Sequence, residues 1–251
     1  MLTTEQILNF KKNGYVVLPG FSEQTFCEAV IAIAEQSIDK LIMPIEYEAD
    51  THYPGAPLSR AAEGGSTARR LLGAAARHPL LADWATSDSL RGILFQLLGR
   101  SVYLSQAHHN CIMTKQPKYS STTGWHRDNR YWSFEREDLV SAWLALGDET
   151  PENGCLWVVP NSQRWEIEPH QLDNNQFLNM DSAKNKDLLA RATPVALNQG
   201  DLLLFHSNLF HAAGRNTTDK TKFSLVFTYH AGDNPPIRGS RSALKEGIPL
   251  V

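Results

Sequence analysis

Cysteine is scarce. The 251 residues hold only Cys27, Cys111 and Cys155, an odd number at irregular spacing, which argues against a disulfide framework and predicts reduced thiols. The opening residues Met1-Leu2-Thr3-Thr4-Glu5 lack a charged stretch leading into an apolar one, so no secretory leader is expected. No apolar run approaches the roughly 20 residues that a membrane-spanning helix needs. Clusters of one charge are missing too: 24 Lys and Arg against 27 Asp and Glu leave a formal net charge of −3. That even scatter disfavours nucleic acid and anionic membranes as partners. Low-complexity tracts and internal repeats are absent. The expectation is a cytoplasmic protein with a small-molecule partner and a single domain spanning 1–251, long enough to enclose a buried site. Its oligomeric state stays open.

What is present begins with helix signals. Thr3 and Gln6 can form a capping box, with Ile7 and Phe10 on one face of a helix that ends near Gly14. Tyr15-Val16-Val17-Leu18 reads as a strand stopped by Pro19-Gly20. Ser22 can cap a second helix carrying Phe26, Val30, Ile33 and Ala34 at helical spacing until Pro44. Residues 45–66 are a mixed loop able to cover a site mouth. Helical patterns resume over Thr67–Arg77 and over Ser87–Leu98, the latter capped by Ser87 and closed by Gly99.

From Ser101 the period falls to two. Strands are predicted at Val102–Leu104, Asn110–Met113, Leu139–Leu146, Cys155–Val159, Thr193–Leu197, Leu202–His206 and Phe223–Tyr229. Helices followed by a run of strands imply a mainly β fold with flanking helices. Residues 1–100 would supply the helical support, 101–230 the core and 231–251 a tail. The polar segment 161–191, set between two core strands, is the candidate lid.

The chemistry concentrates in Gly124-Trp125-His126-Arg127-Asp128-Asn129 and in the later segment from Gly200 to His211. On a strand, positions two apart share a face, so His126 and Asp128 can present an imidazole and a carboxylate together. His211 as third ligand makes a set of two histidines and one carboxylate, the facial triad that leaves three positions open on a non-heme iron. Zinc is the rival metal, but its structural sites close with four ligands, often thiolates, and no cysteine lies beside His126 or Asp128.

Several motifs in order carry a resemblance: Gly124 to Asp128, Ala142-Trp143-Leu144-Ala145-Leu146, Glu152-Asn153-Gly154 through Pro160-Asn161-Ser162, and Gly200 to Gly214. Together they resemble the phytanoyl-CoA dioxygenase family of Fe(II)- and 2-oxoglutarate-dependent oxygenases, from the opening helix to about Tyr229. The resemblance implies a double-stranded β-helix (jelly-roll, cupin-like) core, Fe(II), and 2-oxoglutarate and O2 as co-substrates. It implies hydroxylation, or desaturation, of a small metabolite with release of succinate and CO2. Asp128 is the carboxylate that related halogenases lack. The family pattern also selects His211 over His206, which then reads as structural. His108 and His109 would point to opposite faces of a strand, so at most one faces the metal.

The family usually places an arginine eleven residues after the last histidine, to hold the far carboxylate of 2-oxoglutarate. Here that position is Lys222, a point charge in place of a two-pronged fork. Ser224 shares its face, and Trp143 aligns with an aromatic of the co-substrate pocket. Arg215 is the alternative cation. The usual Pro-Gly-Ser-His corner is Pro160-Asn161-Ser162-Gln163 here. Arg130, Tyr131 and Trp132, just past the iron-binding strand, are the substrate-contacting candidates, unless Arg130 merely pairs with Glu135 or Glu137. Two other functions fit the same residues: a metal-dependent isomerase or hydrolase using the site as a Lewis acid, and a non-catalytic small-molecule-binding module.

Overall fold

Thr3 and Gln6 cap each other reciprocally at the start of α1 (Thr4–Asn13), and Gly14 ends it with φ of 82°, a left-handed conformation that glycine adopts without strain. The computed structural model describes residues 1–251. The expected second helix forms as α2 (Gln24–Asp39), but its cap position is Glu23. Ser22 lies one residue before the cap, and its hydroxyl accepts from the Trp84 indole at 3.0 Å. The helical reading of Thr67–Arg77 is corrected more deeply. Residues Ala68–Leu72 form a strand, and only Ala74–Arg77 turn helical. Leu71 is fully buried, and Arg69 is closed by Glu48, Ser121 and Thr123, partners distant in sequence that fix an extended backbone.

In chain order the helices are α1, α2, α3 (Ala74–Arg77), α4 (Pro79–Ala85), α5 (Asp88–Leu98) and α6 (Ala183–Leu189). The strands are β1 (Tyr15–Leu18), β2 (Ile45–Tyr47), β3 (Ala68–Leu72), β4 (Val102–Leu104), β5 (Asn110–Lys115), β6 (Thr123–His126) and β7 (Leu139–Ala145). They continue with β8 (Leu156–Val158), β9 (Thr193–Val195), β10 (Leu202–His206), β11 (His211–Ala213), β12 (Lys222–Ala231) and β13 (Ile248–Pro249).

The strands make two antiparallel sheets. The larger runs β1-β10-β7-β12-β5-β3-β2, with β4 joining β12 and β13 joining β4; the smaller runs β6-β11-β8-β9. This is the double-stranded β-helix, or jelly roll, with its helices outside. Alternation along the central strands divides the core in two. On β7, β10 and β12 the residues Ala142, Leu144, Leu202, Leu204, Leu225 and Phe227 pack under the helices. Their neighbours Trp143, Ala145, Leu203, Phe205 and Val226 pack between the sheets. Truncating any of the leucines would cost about 2–5 kcal/mol. The inner face also carries polar side chains, among them Ser141 against Thr228 at 2.8 Å and Lys222 against Ser224 at 3.0 Å. No helix is long and apolar enough to cross a membrane.

Candidate active site

His126 ends β6 and His211 begins β11, and the two are direct cross-strand partners, so their rings lie 4.3 Å apart between centroids. Asp128 is not on the strand, contrary to the sequence reading. The chain turns into a 3-10 helix over Asp128–Tyr131, because the backbone N–H groups of Asp128 and Asn129 both donate to the Ser207 carbonyl. The turn still delivers the carboxylate: Asp128 Oδ1 is 3.6 Å from His126 Nε2 and 3.4 Å from His211 Nε2. One donor atom from each of the three residues lies within 4.8 Å of the others.

Both imidazoles are held in one orientation. His126 Nδ1 is 2.8 Å from the Gly124 carbonyl and His211 Nδ1 is 3.0 Å from that of Leu209. A carbonyl only accepts, so each Nδ1 carries a proton and each Nε2 is turned toward Asp128. Burial pulls the His211 pKa down, but Asp128 outweighs it and raises it. Burial, reinforced by His211, holds His126 well below the usual histidine range, in its neutral form. Burial opposes ionisation of Asp128, but His109 and His211 outweigh it and keep the carboxyl well below its usual range.

Asp128 is fully buried and neither of its oxygens has a hydrogen-bond partner. An ionised carboxylate left this way is costly unless a cation completes it. Ligand distances of about 2.1 Å at right angles would set neighbouring donors about 3 Å apart, close to the spacing seen. The residues present therefore fit a divalent metal.

His109, on the loop before β5, reaches the same carboxylate, its Nδ1 3.2 Å from Asp128 Oδ2. The sequence reading allowed at most one of His108 and His109 to face the metal and favoured ordinary hydrogen-bonded histidines; it is His109 that the loop sets beside Asp128. His206 stands apart as expected of a structural residue, 3.3 Å from Asp138 and accepting from the Asn208 N–H.

The cavity beside the cluster lies between the sheets, with Thr123, Leu156 and Ala213 on one wall and Trp143, Lys115, Phe205 and Lys222 on the other. Lys222, Ser224 and Trp143 do converge, but on a residue that sequence reasoning missed. Glu149, 1% exposed, accepts from Lys222 Nζ at 2.9 Å, from Ser224 Oγ at 2.6 Å and from Trp143 Nε1 at 2.9 Å. Nothing in Gly147-Asp148-Glu149-Thr150 distinguishes this acid from a turn residue. Lys115 was missed as well. It pairs in register with Lys222 across β5 and β12, and its ammonium meets only the carbonyls of Ser121 (3.0 Å) and Gly214 (2.5 Å). Burial, then Arg69 and Lys222, push its pKa well down. Arg215 is spent on the carbonyls of Ser120 and Lys118 and does not line this cavity. Gln163, at the departed corner, ties to the carbonyls of Lys11 and Lys12 at the end of α1.

Over the cluster two segments meet. Tyr53, from the 45–66 stretch, packs edge-on to Phe177, from the 161–191 stretch, at 5.5 Å, and its hydroxyl lies 2.7 Å from that of Tyr131. Phe177 also sits 5.5 Å from the His126 ring. Arg130 makes no ion pair with Glu135 or Glu137; its guanidinium stacks 3.8 Å from the Phe177 centroid and 4.9 Å from that of Tyr131. Trp132 is buried against Phe134 and Leu139, with its ring 5.1 Å from His109.

A jelly roll with two imidazoles and one carboxylate on its inner face defines the class of Fe(II)- and 2-oxoglutarate-dependent oxidoreductases, whose cofactors are iron, 2-oxoglutarate and O2. Residues 10–224 match the model of the family described as phytanoyl-CoA dioxygenase (PhyH), and the chain belongs to that family. It is 27% identical to phytanoyl-CoA dioxygenase 1 of Oryza sativa subsp. japonica over 111 residues, which span 44% of this chain and only 40% of that one. With L-proline trans-4-hydroxylase of Streptomyces griseoviridis the identity is 28% over 215 residues, covering 75% of this chain and 78% of the other. Among solved structures, EctD from S. alaskensis with 2-oxoglutarate and 5-hydroxyectoine superposes with a TM-score of 0.77 at 21% identity, over 94% of this chain and 78% of that one.

Proposed function

We propose that this chain hydroxylates, or desaturates, a small-molecule metabolite, consuming 2-oxoglutarate and O2 and releasing succinate and CO2. The observation that carries the reading is the fully buried Asp128, its oxygens unpartnered, facing the Nε2 atoms of two imidazoles. His126, Asp128 and His211 would hold the iron. When bound, iron and 2-oxoglutarate supply the oxidising chemistry, one oxygen atom passing to succinate and the other oxidising a substrate C–H bond.

The chain's own residues do the rest. The Gly124 and Leu209 carbonyls keep both imidazoles aimed, each with its Nε2 toward the place a metal would take. Lys222, Ser224 and Trp143 would frame the far carboxylate of 2-oxoglutarate, with Lys115 on the neighbouring strand as a further donor. Tyr53, Phe177 and Tyr131 shield the cluster from water. The segment 161–191 is the lid in this reading and 1–251 one domain. Arg130 and Tyr131 would form the substrate side, whereas Trp132, packed on Phe134 and Leu139, lines neither cavity. The relatives named for L-proline and phytanoyl-CoA support a small organic substrate, and the three free, buried cysteines support a reducing, cytoplasmic location.

The test is aerobic incubation of the Fe(II)-loaded protein with 2-oxoglutarate, scored by succinate. Release by the wild type and none by His126→Ala or Asp128→Ala is expected; equal release by all three would overturn the reading.

A further inference from the structure

A second cavity, of about 480 Å³, adjoins the metal cluster and shares His109 and Arg70 with the first as a common wall. That volume suits a small organic ligand. Because His109 lies 3.2 Å from Asp128, a molecule in this space is one side chain away from the metal ligands.

The charges lining the cavity do not balance. Its two acids are already used: Glu46 pairs with Arg70 at 2.7 Å and Asp50 with Arg60 at 2.7 Å. Arg130, Arg241 and Lys245, which also line it, form no ion pair with any carboxylate. Two polar atoms on the wall are buried without a partner, Arg130 Nη1 and His108 Nε2. His108 is further held at φ of 46°, in the left-handed region that a non-glycine residue seldom occupies. Strain of this kind gathers where a side chain must be aimed at something. Burial, followed by Arg241, His109 and Arg70, holds the His108 pKa down to about 3, in keeping with the positive charges gathered around it. The paired hydroxyls of Tyr53 and Tyr131, also on the lining, add an aromatic wall.

We propose that this cavity is the substrate site and that the substrate bears an oxyanion, a carboxylate or a phosphate monoester, held by Arg130, Arg241 and Lys245 beside the free His108 nitrogen. Arg130 supplies the inner contact and the fork geometry that suits two oxygens. Arg241 and Lys245 are exposed and form the outer rim, where they raise the local concentration of anions and steer entry. The anion is thereby anchored away from the metal, and the C–H part of the molecule extends past His109 toward Asp128. This assignment rests on the function proposed above for calling the bound molecule a substrate, while the anion preference is measurable on its own.

The experiment is calorimetric titration of the Zn(II)-loaded protein, saturated with 2-oxoglutarate, using phenyl phosphate, benzoate and neutral benzamide. At least one of the two anions should bind tenfold or more tightly than benzamide, and the tighter anion tells phosphate from carboxylate. Arg241→Ala/Lys245→Ala, altered at exposed positions and checked for folding by its melting curve, should lose at least tenfold in anion affinity. Arg130→Met should lose at least as much. Benzamide binding as tightly as both anions, no binding by any of the three, or wild-type anion affinity in the rim double variant would each overturn the assignment. Failure of 2-oxoglutarate to bind in the first place would instead count against the proposed function, and the anion titration repeated on the metal-free protein would still decide the cavity's preference.

Discussion

Glu149→Gln removes one negative charge from a buried cluster without changing its shape. In the wild type the Glu149 carboxylate collects three donors, Lys222 Nζ, Ser224 Oγ and Trp143 Nε1, at 2.6 to 2.9 Å. Breaking a buried ion pair from one side leaves the other charge uncompensated and costs about 3–5 kcal/mol. For a chain of this size roughly 2–4 °C accompanies each kcal/mol, so the metal-free variant should melt roughly 6–20 °C lower. The effect on 2-oxoglutarate should run the other way. Glu149 and the incoming carboxylate compete for one ammonium; two such charges about 4 Å apart repel by about 4 kcal/mol at an effective dielectric of 20. Removing one of them should tighten 2-oxoglutarate binding at least tenfold, or about 1.4 kcal/mol. Urea denaturation and calorimetry read the two effects separately. A stability loss under about 1 kcal/mol, or an unchanged affinity, would refute this account of the pocket.

Phe177→Ala should open the cluster, since that ring lies over His126. Chelators should then strip a bound metal several-fold faster, and an unchanged stripping rate would show that the 161–191 segment does not guard the site. Gly200 has φ of 87° and an added Cβ would meet the Ser22 carbonyl oxygen at 2.3 Å. Gly200→Ala should therefore lose about 1–3 kcal/mol in urea unfolding, and a neutral result would mean the turn relaxes freely. His108 has its pKa lowered to about 3, by burial first and then by Arg241, His109 and Arg70, with Asp128 opposing. Below pH 6.5 the unfolded chain takes up a proton that the folded one refuses, so His108 makes stability fall as pH drops from about 6.5 toward 3. The wild type should lose stability between pH 7 and pH 5 more steeply than His108→Gln, and parallel slopes would exclude the effect.

The parts of this structure that could be read in advance are those fixed by local pattern. The reciprocal cap at Thr3 and Gln6 is a three-residue signal, and it appears as expected. The inner and outer faces of β7, β10 and β12 follow from alternation alone, because a pleated strand turns every second side chain the same way. His126, Asp128 and His211 were legible as a set, although Asp128 reaches the cluster through a 3-10 turn instead of a strand. What stayed hidden depends on distant partners. Ala68-Arg69-Arg70-Leu71-Leu72 looks helical until Glu48 and Glu46 are known to close its arginines. Ser22 looked like a cap because the Trp84 indole that occupies it lies 62 positions away. Glu149 and Lys115 carry no local signal, and only the closure of the two sheets brings them to the inner face.

The central claim is that His126, Asp128 and His211 hold one divalent metal on which 2-oxoglutarate then binds. The most direct test is anaerobic calorimetric titration of Fe(II) into the protein, followed by 2-oxoglutarate. One Fe(II) per chain, with 2-oxoglutarate binding only afterwards and both events lost in Asp128→Ala and His211→Ala, is the predicted result. Wild-type iron binding in either variant, or 2-oxoglutarate binding indifferent to the metal, would contradict it.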